Sequence, residues 1–281
     1  MYRGSVRRHS TVENFEKLSL NQITTDQWNL RDAVEGCARA EIPWIAPWRH
    51  KVQETGLKES RKLIKDAGLK VSSLCRGGMF PAATALERQK RIDDNKRAVE
   101  EAAELGTDVL VLVCGPSPDR DIISAREMVA EGITQLVPFA ESYGVKLGIE
   151  PLHPMYAAER SVVVSLDLAN TLAEAYRPDQ VGVVVDVFHV WWDPDLYNQI
   201  NRAKGRILGF HVSDWLVPLP DMLKGRGMMG DGVIDIQRIR KAVDEVGYSG
   251  PIEVEIFNDQ VWSQQGDETL QQIKDTYLKH V

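Results

Sequence analysis

Four apolar runs in the second half of this 281-residue sequence stop on a side chain that can hold a cation or move a proton. Val145 to Ile149 stops at Glu150, Val181 to Val185 at Asp186 and Ile207 to Phe210 at His211, while Ile252-Glu253-Val254 leads to Glu255. Three carboxylates and an imidazole gathered at the mouth of an apolar scaffold repel one another unless a divalent cation neutralises them. Taken singly, each has a plainer use. A carboxylate after a strand caps the next helix or pairs with a basic side chain, and a half-buried histidine is commonly just hydrogen-bonded. Four on four consecutive runs argue for one shared site. Glu253 competes with Glu255 for the last position: two residues apart, they share a strand face, and alternation does not separate them.

The elements that must position these groups follow a repeated rhythm of amphipathic stretch, glycine and β-branched run. Ile92, Ala98-Val99, Ala102-Ala103 and Leu105 fall at helical spacing, Gly106 stops them, and Val109 to Val113 follows. Gly68, Gly144 and Gly247 end similar stretches. Strands are expected at Lys17 to Gln22, Ile42 to Ala46, Leu69 to Cys75, Val109 to Cys114, Val145 to Glu150, Val181 to Asp186, Ile207 to His211 and Ile252 to Phe257. Eight near-continuous apolar strands separated by helices predict a single (β/α)8 TIM barrel, whose site lies at the C-terminal strand ends. A doubly wound sheet is the runner-up, but no Gly-x-Gly-x-x-Gly follows the first strand. The expected domains are an N-terminal arm over 1–14 and a barrel over 15–281.

Composition narrows the partners. There are 34 basic and 41 acidic side chains, for a formal net charge of −7, so phosphate backbones meet no general attraction and nucleic acid is not an expected partner. Three scattered cysteines without a Cys-x-x-Cys pair fit a reducing compartment. The basic start, Met1 to Ser10, leads into no apolar segment, and no run approaches the ~18 apolar residues of a membrane span, so the expectation is a cytoplasmic protein with a small-molecule substrate.

The segments Gly148-Ile149-Glu150-Pro151-Leu152, Asp186-Val187-Phe188-His189, His211-Val212-Ser213-Asp214, Gly230-Asp231-Gly232 with Ile234-Asp235, and Val254-Glu255-Ile256-Phe257 occur in an order that resembles the sugar phosphate isomerase/epimerase superfamily. These xylose-isomerase-like barrels include D-tagatose 3-epimerase-type enzymes, inosose dehydratases and apurinic-site endonucleases. The resemblance implies one metal bound by Glu150, Asp186, His211 and Glu255, with His189 and Arg226 reaching substrate oxygens. It alone prefers Glu255 to Glu253. His189, three after Asp186, is expected on the loop beyond the strand, and Arg226 in a glycine-rich loop. Trp191-Trp192, Trp215 and Trp262 suit a pocket wall against a sugar or, equally, a rim or a contact between copies, so a homo-oligomer is compatible with the sequence. Arg76-Gly77-Gly78 after the third strand is placed to approach a substrate closely, though a plain turn is the expected reading.

Three carboxylates and an imidazole suit manganese first, then magnesium or cobalt, with zinc also compatible. Such an ion polarises a ketone and stabilises an enediolate, while Glu150 and Glu255 as paired carboxylates remove and return the proton. The expected activity is that of a sugar isomerase or epimerase acting on a ketose or keto-polyol. Loss of a β-hydroxyl from the same enediolate gives the alternative, an inosose dehydratase-type lyase. A metallonuclease of the apurinic-site endonuclease type would need ligands for further metals, and this chain has only six histidines. A non-catalytic barrel subunit is the remaining reading. Substrate choice is expected to reside in the loops around 47–56, 76–88 and 215–229.

Overall fold

The computed structural model describes residues 14–281; the expected arm over 1–14 lies outside the described residues except for Asn14. The strands are β1 (Leu18–Asn21), β2 (Trp44–Ala46), β3 (Lys70–Val71), β4 (Leu74–Gly78), β5 (Val109–Val113), β6 (Lys146–Ile149), β7 (Val181–Asp186), β8 (Ile207–Val212), β9 (Asp214–Trp215), β10 (Arg226–Gly227) and β11 (Ile252–Val254). Nine form one sheet in the order β3-β2-β1-β11-β8-β7-β6-β5-β4, every neighbour parallel. Backbone hydrogen bonds from Ser72 to Ile45 and from Cys75 to Pro47 carry the β2 edge past β3 and on to β4, so the sheet is a nearly closed barrel.

The eight expected strands are therefore present, with the third broken in two. Leu69 to Cys75 reads as one run, but the chain leaves the ladder at Ser72-Ser73, whose hydroxyls both turn to Glu253 at 2.8 and 2.7 Å. Arg76-Gly77-Gly78 is the end of β4 rather than the expected turn, because β5 supplies a ladder partner. Cys75 pairs with Val111 and Gly77 with Leu112, leaving Arg76 as the extra residue of a bulge.

The helices cover the sheet as the rhythm predicts. In Ala85–Leu105, Thr84 and Glu87 form a reciprocal cap at the start, Ile92, Ala98, Val99, Ala102 and Leu105 are buried, and Gly106 ends the helix at φ +86°, where a side chain would be strained. All five residues of β5 are buried, each large aliphatic side chain contributing about 1.5–3 kcal/mol relative to exposure. Inside the barrel the small Gly148 and Gly209 flank Val184; a Cβ on Gly209 would lie 3.3 Å from Val184 and 3.5 Å from His211 Nε2. The interior thus keeps room for polar groups near its C-terminal end.

Candidate metal centre

Glu150 directly follows β6, Asp186 closes β7, His211 lies one residue from the end of β8, and Glu255 directly follows β11. Each can contribute one ligand atom with all four atoms within 4.8 Å of one another, and all four residues are buried. His211 Nδ1 stands 3.1 Å from Glu150 Oε1 and 3.5 Å from Glu255 Oε2. Both His211 Nδ1 and Glu150 Oε1 are buried without an aligned hydrogen bond among the described residues. Ligands about 2.1 Å from a shared ion lie roughly 3.0–3.5 Å apart at octahedral or tetrahedral angles, so these orphaned atoms fit a divalent cation.

Arg226 is the local counter-charge. It lies on β10, in a two-stranded antiparallel ribbon with β9 rather than in an open loop, and only 3% of it is exposed. Its Nη1 donates to Asp186 Oδ2 at 2.7 Å and Glu255 Oε2 at 3.1 Å, and its Nη2 is 3.0 Å from His189 Nε2. The guanidinium carbon lies 4.7 Å from the ring centroid of Phe188 and 5.3 Å from that of Phe257. His189 occupies the four-residue helix Val187–Val190, N-capped by Asp186, and is buried rather than on a loop. Burial, with the nearby Arg226 charge, holds its pKa well below the usual value despite Asp186, which favours a neutral ring.

Burial raises the Glu150 carboxyl to about 7, with the Glu255 charge adding to the shift and His211 opposing it. Burial also works against an ionised Glu255, but Arg226 and His211 outweigh it and hold that carboxyl at about 2. For His211, burial alone would lower the pKa; Glu253 and Glu150 reverse this and raise it well above the usual value.

Glu253 points into the same interior, where Asn21 Nδ2 donates to Oε2 at 3.0 Å, Ser72 and Ser73 donate to Oε1, and His211 Nε2 stands 3.2 Å from Oε2. Asn21 in turn accepts from Trp48 Nε1 at 2.7 Å. Asn21, Ser72, Ser73 and Trp48 had no individual signal in the sequence; ladder register across the barrel brings them here. The mouth is walled on one side by Phe188 stacked on Trp215 at 4.8 Å, and on the other by Trp48 edge-on to Phe257 at 5.7 Å. Trp191 and Trp192 reach this wall through Trp215 and His153, whereas Trp262 binds the Ile23 carbonyl and packs beside Phe257. Asp214 accepts from the backbone of Trp215, Gly230 and Ile234, so the His-x-x-Asp and Gly-x-Gly segments tie down the turn that carries Arg226.

A cup of carboxylates and one histidine at the C-terminal end of a parallel barrel defines a class of metal-centred TIM barrels. The sequence profile of the xylose isomerase-like TIM barrels matches residues 32–279, and the chain belongs to that family. It is 25% identical to the inosose isomerase of Bacillus velezensis over 272 residues, covering 92% of this chain and 95% of that protein. The crystal structure of protein SMc04130 from Sinorhizobium meliloti 1021 superposes with a TM-score of 0.93 at 49% identity, over 95% of this chain and 99% of that one. That of IOLI protein with a zinc atom bound gives 0.82 at 22% identity, over 94% and 98%. No described helix is long and apolar enough to cross a membrane.

Proposed function

We propose that this enzyme is a divalent-metal-dependent isomerase or epimerase of a ketose or keto-polyol, with inososes as the leading substrates. The observation that carries the proposal is the cluster of Glu150, Asp186, His211 and Glu255 with orphaned atoms facing one another. A divalent ion held by these four residues would polarise the ketone and stabilise the negative charge that develops when the adjacent carbon loses its proton. Donor chemistry favours manganese, and the zinc in the IOLI structure keeps zinc as the competitor.

Glu150 and Glu255 project from strand ends on two sides of the mouth and serve as the proton-transfer pair. Arg226 and His189 present donors toward substrate oxygens, with Arg226 held between two phenylalanine rings so that its direction is fixed. Trp215, backed by the fully buried Phe188 stacked on it, offers an apolar face to the C–H side of a polyol ring and excludes water. The acidic net charge supports a small-molecule substrate over nucleic acid, and three buried unpaired cysteines support a reducing, cytoplasmic setting.

The test is incubation of the metal-loaded protein with a panel of inososes and free ketoses, followed by NMR. Appearance of a positional isomer or epimer supports the proposal. A product lighter by one water replaces isomerisation by elimination at the same site, and no change to any ketone refutes the proposal.

A further inference from the structure

Beside the three carboxylates of the cluster lies a fourth that the mechanism does not use. Glu253 is the ladder partner of His211 where β11 runs along β8, and it is buried. Its Oε2 stands 3.2 Å from His211 Nε2, while the other ring nitrogen, Nδ1, faces Glu150 and Glu255. The Nε2 contact is off-line for a hydrogen bond, and Nε2 has no other partner among the described residues.

The directions of the three hydrogen bonds that hold Glu253 are forced. An indole N–H only donates, so Trp48 Nε1, at 2.7 Å, turns the Asn21 amide oxygen toward itself and the amide nitrogen toward Glu253 Oε2. An ionised carboxylate only accepts, so Ser72 donates to Oε1 and is left to accept from the Ser19 hydroxyl 2.8 Å away. Ser73 donates to Oε1 as well. These bonds come from β1 and from the break between β3 and β4, and together they fix Oε2 beside the imidazole.

A neutral imidazole carries one N–H and one bare nitrogen, and the bond made at one nitrogen decides the state of the other. We propose that Glu253 is a positioning residue for the metal centre: it receives the Nε2–H of His211 and so keeps Nδ1 bare and turned toward Glu150 and Glu255. A carboxylate in this place also makes the imidazole a more basic ligand, which a neutral acceptor does less well. The inference deepens the proposed function and rests on it for the metal, but not for any substrate. It also gives the two glutamates of β11 and its end separate duties, Glu255 as a ligand and Glu253 as the group that aims another ligand.

The test uses the full-length protein and zinc, a diamagnetic ion. Zinc affinity is measured by competition with a chromophoric chelator for wild type, E253Q, S73A and H211A, and the His211 ring of the zinc-loaded proteins that retain it is followed by heteronuclear NMR. In the wild type, zinc should sit on Nδ1 with a proton on Nε2, that proton far downfield and slow to exchange with water. E253Q keeps the shape of the side chain, and the serine hydroxyls can reverse to accept from its amide. It should bind zinc about tenfold to 100-fold more weakly, the usual cost of losing an outer carboxylate on a ligating histidine, with the Nε2 proton moved upfield. S73A disturbs the same network without touching Oε2 and should bind zinc as the wild type does. The proposal is overturned by zinc on Nε2 in the wild type, a reading that holds even where a variant does not fold. It is equally overturned by E253Q with wild-type affinity or an unmoved Nε2 proton, and by parallel losses in S73A and E253Q. If H211A binds zinc as tightly as the wild type, His211 leaves the ligand set and the proposal falls with it. A wild type that binds no zinc refutes the metal reading itself, whereas any failure with wild-type binding intact belongs to this inference alone.

Discussion

Glu253 and Glu255 are two residues apart, both buried, both directed into the barrel and both beside the His211 ring, at 3.2 and 3.5 Å, yet the rest of their surroundings differ. Apart from His211 Nε2, 3.2 Å from its Oε2, Glu253 sits among neutral donors: Asn21, Ser72 and Ser73 hydrogen-bond to it, and the chain breaks a strand to bring the two serines round. Glu255 sits among ionisable groups, with Arg226 at 3.1 Å and His211 at 3.5 Å, beside atoms that have no hydrogen-bond partner. A buried carboxylate that the fold has fully satisfied is part of the structure. One left among crowded charges is held there by the rest of the fold at a cost in stability, as functional sites are.

The largest expected difference between them is in catalysis. Glu255→Gln should lower turnover by about 100-fold to 10,000-fold, the range of a general acid or base, with its melting midpoint close to that of the wild type. Steady-state rates on whichever ketone the panel identifies check this. Equal loss in Glu253→Gln and Glu255→Gln would erase the distinction drawn above.

Stability should rank the pair the other way. Glu253→Ala leaves Asn21, Ser72 and Ser73 without their acceptor and His211 Nε2 without the carboxylate 3.2 Å away, and should cost about 3–5 kcal/mol in urea unfolding, in the range for breaking a buried charged network. Below its melting midpoint it should still bind about one divalent ion per chain by elemental analysis, since Glu253 is outside the four-ligand set.

Metal loading gives a smaller, graded effect with a defined sign. In the metal-free protein the Glu150 carboxyl is raised to about 7 by burial, and His211 is raised well above its usual value by the surrounding glutamates, burial opposing. Both therefore carry protons near neutral pH and must release them to become ligands. Affinity should rise from pH 6 to pH 8, with proton release visible as a dependence of the calorimetric heat on buffer ionisation enthalpy. A pH-independent affinity would remove Glu150 and His211 from the ligand set.

Much of the fold was legible because it is written in local pattern. The Val109 to Val113 run, the helix stopped by Gly106, and ligands at the ends of consecutive runs need only periodicity and the barrel rule to interpret. What escaped depends on partners distant in sequence. The break at Ser72-Ser73 answers to Glu253, some 180 residues away. Arg76-Gly77-Gly78 carries turn residues, but the β5 edge makes it a strand end with a bulge. His189 and Arg226 are flanked by residues that suggest loops, and only the short helix after Asp186 and the ribbon anchored by Asp214 turn them inward.

The central claim is that this cluster, once loaded with a divalent ion, makes the carbon beside a ketone give up its proton to a glutamate. Solvent-deuterium exchange into a substrate inosose or ketose, followed by NMR, tests it directly even where net conversion is small. The account predicts exchange by the metal-loaded wild type, none after thorough chelation, restoration on adding the ion back, and at least a 100-fold slower rate in Glu255→Gln. Exchange that survives chelation, or that runs at the wild-type rate in Glu255→Gln, would contradict it.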